Sequence, residues 1–281
     1  MAEARAIVVA YYGVESLRTT LAALNGVETL VIDNSADAGV RAAAAEAGAT
    51  YVDAGGNIGF ARAVNLGFAR SRGLDVVLVN PDAEMSARTI HSLVERMRVP
   101  GRRVAAVAPT LIQPDGERQR VRWPFPSPAG AWLQAAGLGR FQRDDNGFLV
   151  GAVLALRATA LERVGGFDED FFLYGEETDW QRRAVADGWT LVLAADLSAI
   201  HVGGATHNEE SRRETHFHAG SERYIRKWYG AFGWGAYRLA TALGAAIRVL
   251  IFRGARRAQA LRRFRLYVRG PRKREQQVLG R

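Results

Sequence analysis

From residue 6 onward the chain alternates short runs of β-branched residues with stretches whose apolar positions recur at helical spacing. AIVVAYY (6–12), ETLVIDNS (28–35), TYVDAG (50–55), DVVLVN (75–80) and VAAVAPT (104–110) predict strands. Residues 14–25, 37–47, 58–72 and 86–98 predict helices, as in the common face of Leu17, Leu21 and Leu24. Strand and helix in turn predict a parallel sheet covered on both faces, because parallel neighbours need a crossover that a helix supplies.

After residue 110 the rhythm breaks. QPDGERQRVRWPFPSP (113–128) mixes turn dipeptides with arginines and predicts a hairpin or mobile loop. FLVGAVLALR (148–157) reads as a strand, EETDWQRRAVADG (176–188) as a helix, and WTLVLAADLSAIHVGG (189–204) as one or two strands. One α/β domain is expected over 1–222, followed by a tail over 223–281. Within the tail, Arg238 and Arg248 interrupt the apolar stretch 229–252 too closely for a bilayer span, which needs about 20 residues. On a helical wheel Leu239, Leu243, Ile247, Leu250 and Leu261 share a face, with Arg238, Arg248, Arg253, Arg256 and Arg263 mostly opposite. That pattern suits an amphipathic helix on anionic lipid, although Val249 and Phe252 fall on the basic side.

Composition sharpens the division. The 281 residues include no cysteine, which excludes disulfides, thiolate metal sites and a cysteine nucleophile. The formal charge of +9 is uneven: residues 223–281 hold 16 Lys and Arg against Glu275 alone, and residues 1–222 hold 22 against 28. An acidic-leaning domain of −6 is joined to a tail of +15. The opening MAEARAIVVAYYGVE has too short an apolar run for a signal peptide and reads as the first strand.

Ligands of open parallel sheets bind beyond the carboxyl ends of the strands. Asp33 and Asn34 end the second strand, and Asn80-Pro81-Asp82 ends the fourth with residues 80 and 82 on one side. The tripeptide is an ordinary strand-end turn, and it equally offers oxygen ligands to a hard cation that shares substrate phosphates. GGNIGFARAVNLGFA (55–69) puts glycines before a helix whose first N–H groups could face phosphate or sugar oxygens, or could simply pack on the sheet. The acidic run DEDFFLYGEETDW (168–180) opens a helix, with Asp179 and Arg183 spaced for an i, i+4 pair. A carboxylate there can take a proton from a hydroxyl nucleophile. His201 ends a strand and could complete a metal site begun by Asp82. His207, His216 and His218 lack an acidic partner at ligand spacing and are expected at the solvated surface.

In order and spacing these pieces resemble the inverting glycosyltransferases of family 2. The resemblance rests on the first strand, VIDNSAD, GGNIGFARAVNLG, VLVNPDAEM, FLVGAVLALR, VGGFDEDFFLYGEETDW and HVGGATH, over roughly residues 6–207. It looks most like the bacterial rhamnosyltransferases, where Asn-Pro-Asp stands for the Asp-x-Asp of the wider family. The fold implied is GT-A, a Rossmann-like, mostly parallel α/β sheet flanked by helices, here with a basic amphipathic helical extension. The resemblance assigns Asp33 to the nucleotide base or ribose, and Tyr11, Asn57, Gly59, Asn65 and Asn80 to the donor pocket. Asp82 and His201 would hold Mg2+ or Mn2+ at the donor diphosphate, with Arg183, Arg223 and Lys227 balancing its charge. Glu177 falls at the catalytic base, with Gly151, Glu176 and Trp123 on the acceptor side. Two departures stand out: Asn80 is neutral where many relatives carry Asp, and Glu177 is one methylene longer than the usual Asp.

The implied donor is dTDP-rhamnose or a UDP-sugar, and the implied acceptor a glycan or a polyprenyl-diphosphate-linked sugar of cell-wall or surface polysaccharide synthesis. The tail would hold the enzyme peripherally on an anionic membrane surface at its cytoplasmic face. A nucleotidyltransferase is a second class, but Tyr11-Tyr12-Gly13-Val14-Glu15 is a poor version of its basic glycine-rich loop. A nucleic-acid-binding protein is a third; no recognised module accompanies the basic tail, and no nucleic-acid partner is expected.

Overall fold

The computed structural model describes residues 4–11, 13–203 and 207–280. Two compact units share the chain: Met1–Trp123, Asn146–Phe172 and Glu176–Gly204 form one, and Pro124–Asp145, Leu173–Gly175 and Ala205–Arg281 the other. The boundary expected at 222 therefore falls inside a helix. Charge turns basic after that position.

The first unit opens with β1 (Ala4–Ala10), α1 (Val14–Ala23), β2 (Thr29–Asp33), α2 (Ala38–Glu46), β3 (Thr50–Asp53), α3 (Phe60–Arg70) and β4 (Asp75–Val79). It continues with β5 (Ala83–Glu84), α4 (Ala87–Met97), β6 (Val104–Ile112), β7 (Arg118–Gln119) and β8 (Arg122–Trp123). The sheet order is β3-β2-β1-β4, all parallel, which accounts for the wholly buried apolar runs of β2 and β4. Helices α1 and α4 bury Leu17 and Leu21, and Ile90, Leu93, Val94 and Met97. Asp37 and Ser86 cap α2 and α4 by accepting the N–H groups of Gly39 at 2.8 Å and Thr89 at 3.2 Å.

Later strands change direction. In FLVGAVLALR two elements replace the single strand expected: β9 (Phe148–Leu149) pairs with β8, and β10 (Val153–Leu156) enters the main sheet antiparallel between β4 and β6. After α6 (Ala158–Val164) and α7 (Glu176–Ala186), β11 (Thr190–His201) runs parallel to β6 with a register shift between Ala194 and Ser198. The 113–128 segment is a hairpin at its start: Gly116, at φ 89°, donates to Gln113 O at 2.9 Å, and β7 turns back onto β6.

The second unit is helical: α5 (Pro128–Ala135), α8 (His207–Ile251, kinked at Gly230), α9 (Gly254–Arg269) and α10 (Pro271–Val278). Leu261 lies on α9, after the break at Phe252 and Arg253, so it does not extend the α8 face. Arg238 and Arg248 are not free basic positions, since they donate to Tyr267 O (2.7 Å), Val268 O (2.8 Å) and Gln134 O (2.7 Å). The expectation of surface histidines is corrected for two of the three. His216 and His218 are buried, bonded through Nδ1 to Glu275 (2.8 Å) and Tyr267 (3.0 Å). Burial and the Arg263 charge push His218 down to about 3. The His207 side chain lies outside the described residues.

Helix α3 lies directly on β1. A Cβ built on Gly67 would meet Ile7 Cδ1 at 2.7 Å and Cγ2 at 2.9 Å. Gly67→Val is therefore expected to lower stability by about 1–3 kcal/mol through overpacking. The check is a fall in urea midpoint with an unchanged slope.

Candidate functional site

The polar residues at the carboxyl edge of the sheet fall into two groups, one that folds loops and one that faces a crevice. Asp33 is fully buried. Its Oδ1 accepts the Ser35 hydroxyl (2.7 Å) and the N–H groups of Ser35 (2.9 Å) and Ala36 (3.1 Å), and its Oδ2 accepts the Tyr51 hydroxyl (2.8 Å). Burial alone would raise this carboxyl, but those hydrogen bonds outweigh it and hold Asp33 below the usual carboxylate range. Asn34 Oδ1 accepts the Ile58 N–H at 2.9 Å, and Asn57 Oδ1 accepts the Gly59 N–H at 3.1 Å. Gly59, at φ 91°, sits so close to Phe172 that a Cβ would meet its carbonyl oxygen at 2.9 Å. That carbonyl accepts the Phe60 N–H at 2.7 Å, so the first N–H of α3 is not offered to a phosphate.

Three other expected donor contacts also have internal partners. Asn65 bonds both the carbonyl (2.9 Å) and the N–H (2.9 Å) of Phe167, which ties α3 to the loop before the acidic run. Arg183 donates to Asp179 (2.9 Å), Val164 O (2.7 Å) and Gly166 O (2.7 Å), so the i, i+4 pair expected from sequence is a buried clamp. Arg223, in the helical unit, pairs with Glu275; Lys227 lies exposed in the same unit. Trp123 is 41% exposed, with the Arg120 guanidinium 4.2 Å over its ring. Tyr11 follows directly on β1 at the same edge.

The crevice group meets where β4 and β11 end. Asn80 O accepts the Ala83 N–H at 3.0 Å, which makes the tripeptide a turn, and Asp82 O accepts the Val202 N–H at 3.1 Å. The turn carries Asn80 Nδ2 to 3.5 Å and Asp82 Oδ1 to 3.4 Å from His201 Nε2. Sequence reasoning missed the fourth member, Gln119 on β7. Its Nε2 donates to His201 O at 2.9 Å, which leaves its Oε1 to accept from His201 Nδ1 at 2.9 Å. Flipping the amide would set two acceptors against each other, so the ring proton is fixed on Nδ1 and the Nε2 lone pair faces Asp82. The only sequence signal was the Pro114-Asp115-Gly116 turn that returns Gln119 to this edge.

A carboxylate, a neutral imidazole nitrogen and an amide suit a hard divalent cation that takes its remaining ligands from a diphosphate. No cluster of three or more His, Cys, Asp or Glu residues exists among the described residues, so substrate oxygens would have to complete the shell. The second shell fits as well, because ligand histidines commonly bond through the other ring nitrogen.

Glu177 reaches the same edge through β10. Asn80 donates its N–H to Ala152 O at 2.8 Å, and a Cβ on the preceding Gly151 would lie 3.3 Å from Glu177 Cγ. A larger residue there would press on the Glu177 side chain. Its neighbour Glu176 is 2% exposed, and burial together with the Glu177 charge pushes its carboxyl well above the ordinary value. Glu176 thus binds its proton more tightly than a free carboxyl, and Glu177, beside Gly151, is the candidate base.

The "Glycosyl transferase family 2" profile matches residues 6–165, and that of "Glycosyl transferase family group 2" matches 90–268. The N-acetylglucosaminyl-diphospho-decaprenol L-rhamnosyltransferase of Mycobacterium tuberculosis is 28% identical over 212 residues, covering 65% of this chain and 68% of that protein. The low-salt glycan biosynthesis hexosyltransferase Agl10 of Haloferax volcanii is 25% identical over 210 residues, covering 69% and 66%. Among solved structures, the mannosyltransferase PcManGT from Pyrobaculum calidifontis, in complex with GDP-Man and Mn2+, superposes with a TM-score of 0.59 at 15% identity, covering 97% and 86% of the two chains. Residues 1–349 of S. aureus TarS give a TM-score of 0.53 at 11% identity, covering 96% and 92%. These likenesses establish a GT-A-type α/β fold with a C-terminal helical extension.

Two outcomes are expected at this edge. Because the native state holds the Glu176 proton more tightly than the unfolded chain, stability falls as pH rises from the ordinary carboxylate value toward the raised one, by about 1.4 kcal/mol per pH unit. Glu176→Gln removes that slope, so melting curves of variant and wild type should converge in acid and separate near neutrality with the variant higher. For Gln119→Leu, 15N shifts of His201, taken where the ring is neutral, should show the proton moved toward Nε2.

Proposed function

The chain belongs to glycosyl transferase family 2, and from that premise we propose that it moves L-rhamnose from dTDP-rhamnose to a hydroxyl of a polyprenyl-diphosphate-linked sugar, with inversion. The mycobacterial relative, named for rhamnosyl transfer to N-acetylglucosaminyl-diphospho-decaprenol, supports both donor and acceptor class. A UDP-sugar is the alternative donor. The observation that carries the mechanism is the hydrogen bond between Asn80 and Ala152, which sets the Glu177 side chain over Gly151 on the sheet edge where Asp82 and His201 meet.

In this reading Glu177 orients the acceptor hydroxyl and takes its proton as that oxygen attacks the anomeric carbon in line. Glu176, held neutral by burial, keeps a second negative charge from the reacting oxygen. Asp82 and the Nε2 of His201 would hold a divalent cation, Mg2+ or Mn2+, which would supply Lewis-acid stabilisation to the departing diphosphate. Gln119 keeps His201 in the tautomer that can bind it. Asp33 shapes the loop beside the nucleotide base through the bonds of Ser35 and Ala36. Arg183 and Arg223 act as structural clamps, for the partners already described. No helix among the described residues is long and apolar enough to cross a membrane. A lipid-borne acceptor then has the enzyme working from the cytoplasmic surface of a membrane, on its basic helical unit.

Glu177→Ala should lose roughly 2 to 4 orders of magnitude in transfer rate, the range of a positioned base. The assay follows transfer from dTDP-rhamnose, and in parallel from UDP-sugars, to a polyprenyl-diphosphate-linked N-acetylglucosamine. The variant should retain the thermal shift caused by the nucleoside diphosphate with Mn2+. Turnover near wild type would remove Glu177 from the mechanism.

A further inference from the structure

The helical unit carries an apolar surface that its own packing leaves open. Beyond the kink at Gly230, α8 continues from 231 to 251 without a further break. The only charged residues there, Arg238 and Arg248, are turned onto the carbonyls of Tyr267, Val268 and Gln134. Phe232, Ala236, Leu239, Leu243, Ala246 and Leu250 recur at alternating steps of four and three, so at 100° per residue they form one stripe about 80° wide. Ile247 and Ile251 lie beside it. The six large side chains of this face are between 44% and 92% exposed, which marks an interaction surface. Helices α9 and α5 cover other sides of α8, where Trp234 meets the Tyr267 ring and Gly244 lies against Ala135.

The stripe reads alike in both directions. Its members lie nine, five and two residues to each side of 241, the midpoint of the segment: Phe232 matches Leu250, Ala236 matches Ala246, and Leu239 matches Leu243. The order of sizes is therefore large, small, large, then large, small, large. A two-fold contact between identical chains requires this kind of self-complementary surface, because each residue meets its match on the other copy.

We propose that α8 is the seam of a homodimer, paired antiparallel with α8 of a second copy about a two-fold axis level with residue 241. Leu239 and Leu243 pack across the centre, the alanine layers let the helices approach, and Phe232 of one copy covers Leu250 of the other. At roughly 200 Å² for a side chain of this size, the exposed parts of the six come to about 800 Å² per protomer, the area a standard interface buries on each side. The flanks of α8 favour a second copy over a bilayer. A helix lying on anionic lipid keeps Lys and Arg along the borders of its apolar face, whereas the borders here are packed by α5 and α9 and both arginines point away. The exposed Arg265 and Arg269 of α9 lie off the seam, so the dimer leaves them open to solvent. This inference goes beyond the transferase reading and does not rest on it.

Sedimentation velocity of the full-length chain should give twice the monomer mass. Leu243→Lys enters the seam twice by symmetry and should raise the dimer dissociation constant at least about a hundredfold, with an unchanged circular dichroism spectrum. Val268→Lys, at an exposed apolar position on α9, should leave it unaltered. Disulfide trapping reads the register, since the chain has no cysteine of its own. Phe232→Cys/Leu250→Cys should form a cross-linked dimer under mild oxidation, and neither single variant should, because like residues of the antiparallel pair stand about 27 Å apart. Cross-linking of both single variants would mean a parallel pair and overturn the two-fold seam. A wild type that stays monomeric up to about 100 μM would overturn the dimer, and Leu243-dependent flotation of that monomer with phosphatidylglycerol vesicles would give the stripe to a bilayer instead. Either result leaves the transferase reading as it stands.

Discussion

The hydrogen bond from the Asn80 N–H to Ala152 O marks the constraint on which the active edge depends: an antiparallel strand inserted between two parallel ones. Were β10 parallel, its amino end would lie at the far side of the sheet. Because it runs the other way, Gly151 comes level with the end of β4, and α7, which enters beside it, delivers Glu177 to the edge where β4 and β11 deliver Asp82 and His201. The proposed base on α7 and the proposed cation ligands, in the turn after β4 and at the end of β11, are thereby held beside the sheet edge by regular elements. Rigid mounting of this kind is what in-line displacement needs, since small misplacements of a base cost large factors in rate.

The surrounding loops are held by polar side chains that close on the backbone. Asp33 gathers two N–H groups and two hydroxyls, Asn34 and Asn57 bind the glycine segment, and Asn65 bonds both polar groups of one peptide residue. Buried polar groups are stable only when satisfied, so these residues fix loop shape as firmly as apolar packing fixes the sheet. Gly59 has a complementary function, since it leaves space where a Cβ would collide with Phe172, and Gly151 lets the Glu177 side chain pack close to β10.

Much of this was legible in the chain. Short β-branched runs located the five parallel strands, and strand-end polarity picked out Asp33, Asn80, Asp82 and His201, because buried strand runs and the carboxyl-end rule are local properties. What sequence could not show was pairing across distance. FLVGAVLALR reads as one strand because Gly151 looks like any strand glycine until Glu177 is seen above it. Arg183 reads as a diphosphate ligand until the carbonyls of Val164 and Gly166 are seen to saturate it. Gln119 carries no motif, and His216 finds its carboxylate 59 residues away.

Charge then has a different meaning in each unit. In the sheet unit Asp82 and Glu177 put carboxylates at the carboxyl edge, while Arg183 is held by Asp179 and the carbonyls of Val164 and Gly166. In the proposed mechanism a cation at Asp82 and His201 would offset the diphosphate charge, which would make the tautomer of His201, and hence Gln119, part of the electrostatics. In the helical unit the imbalance runs the other way. Glu275 is taken by His216 and Arg223, Glu222 by Arg226, and Glu214 faces both Arg262 and Arg263, so a few carboxylates are shared among many guanidinium groups.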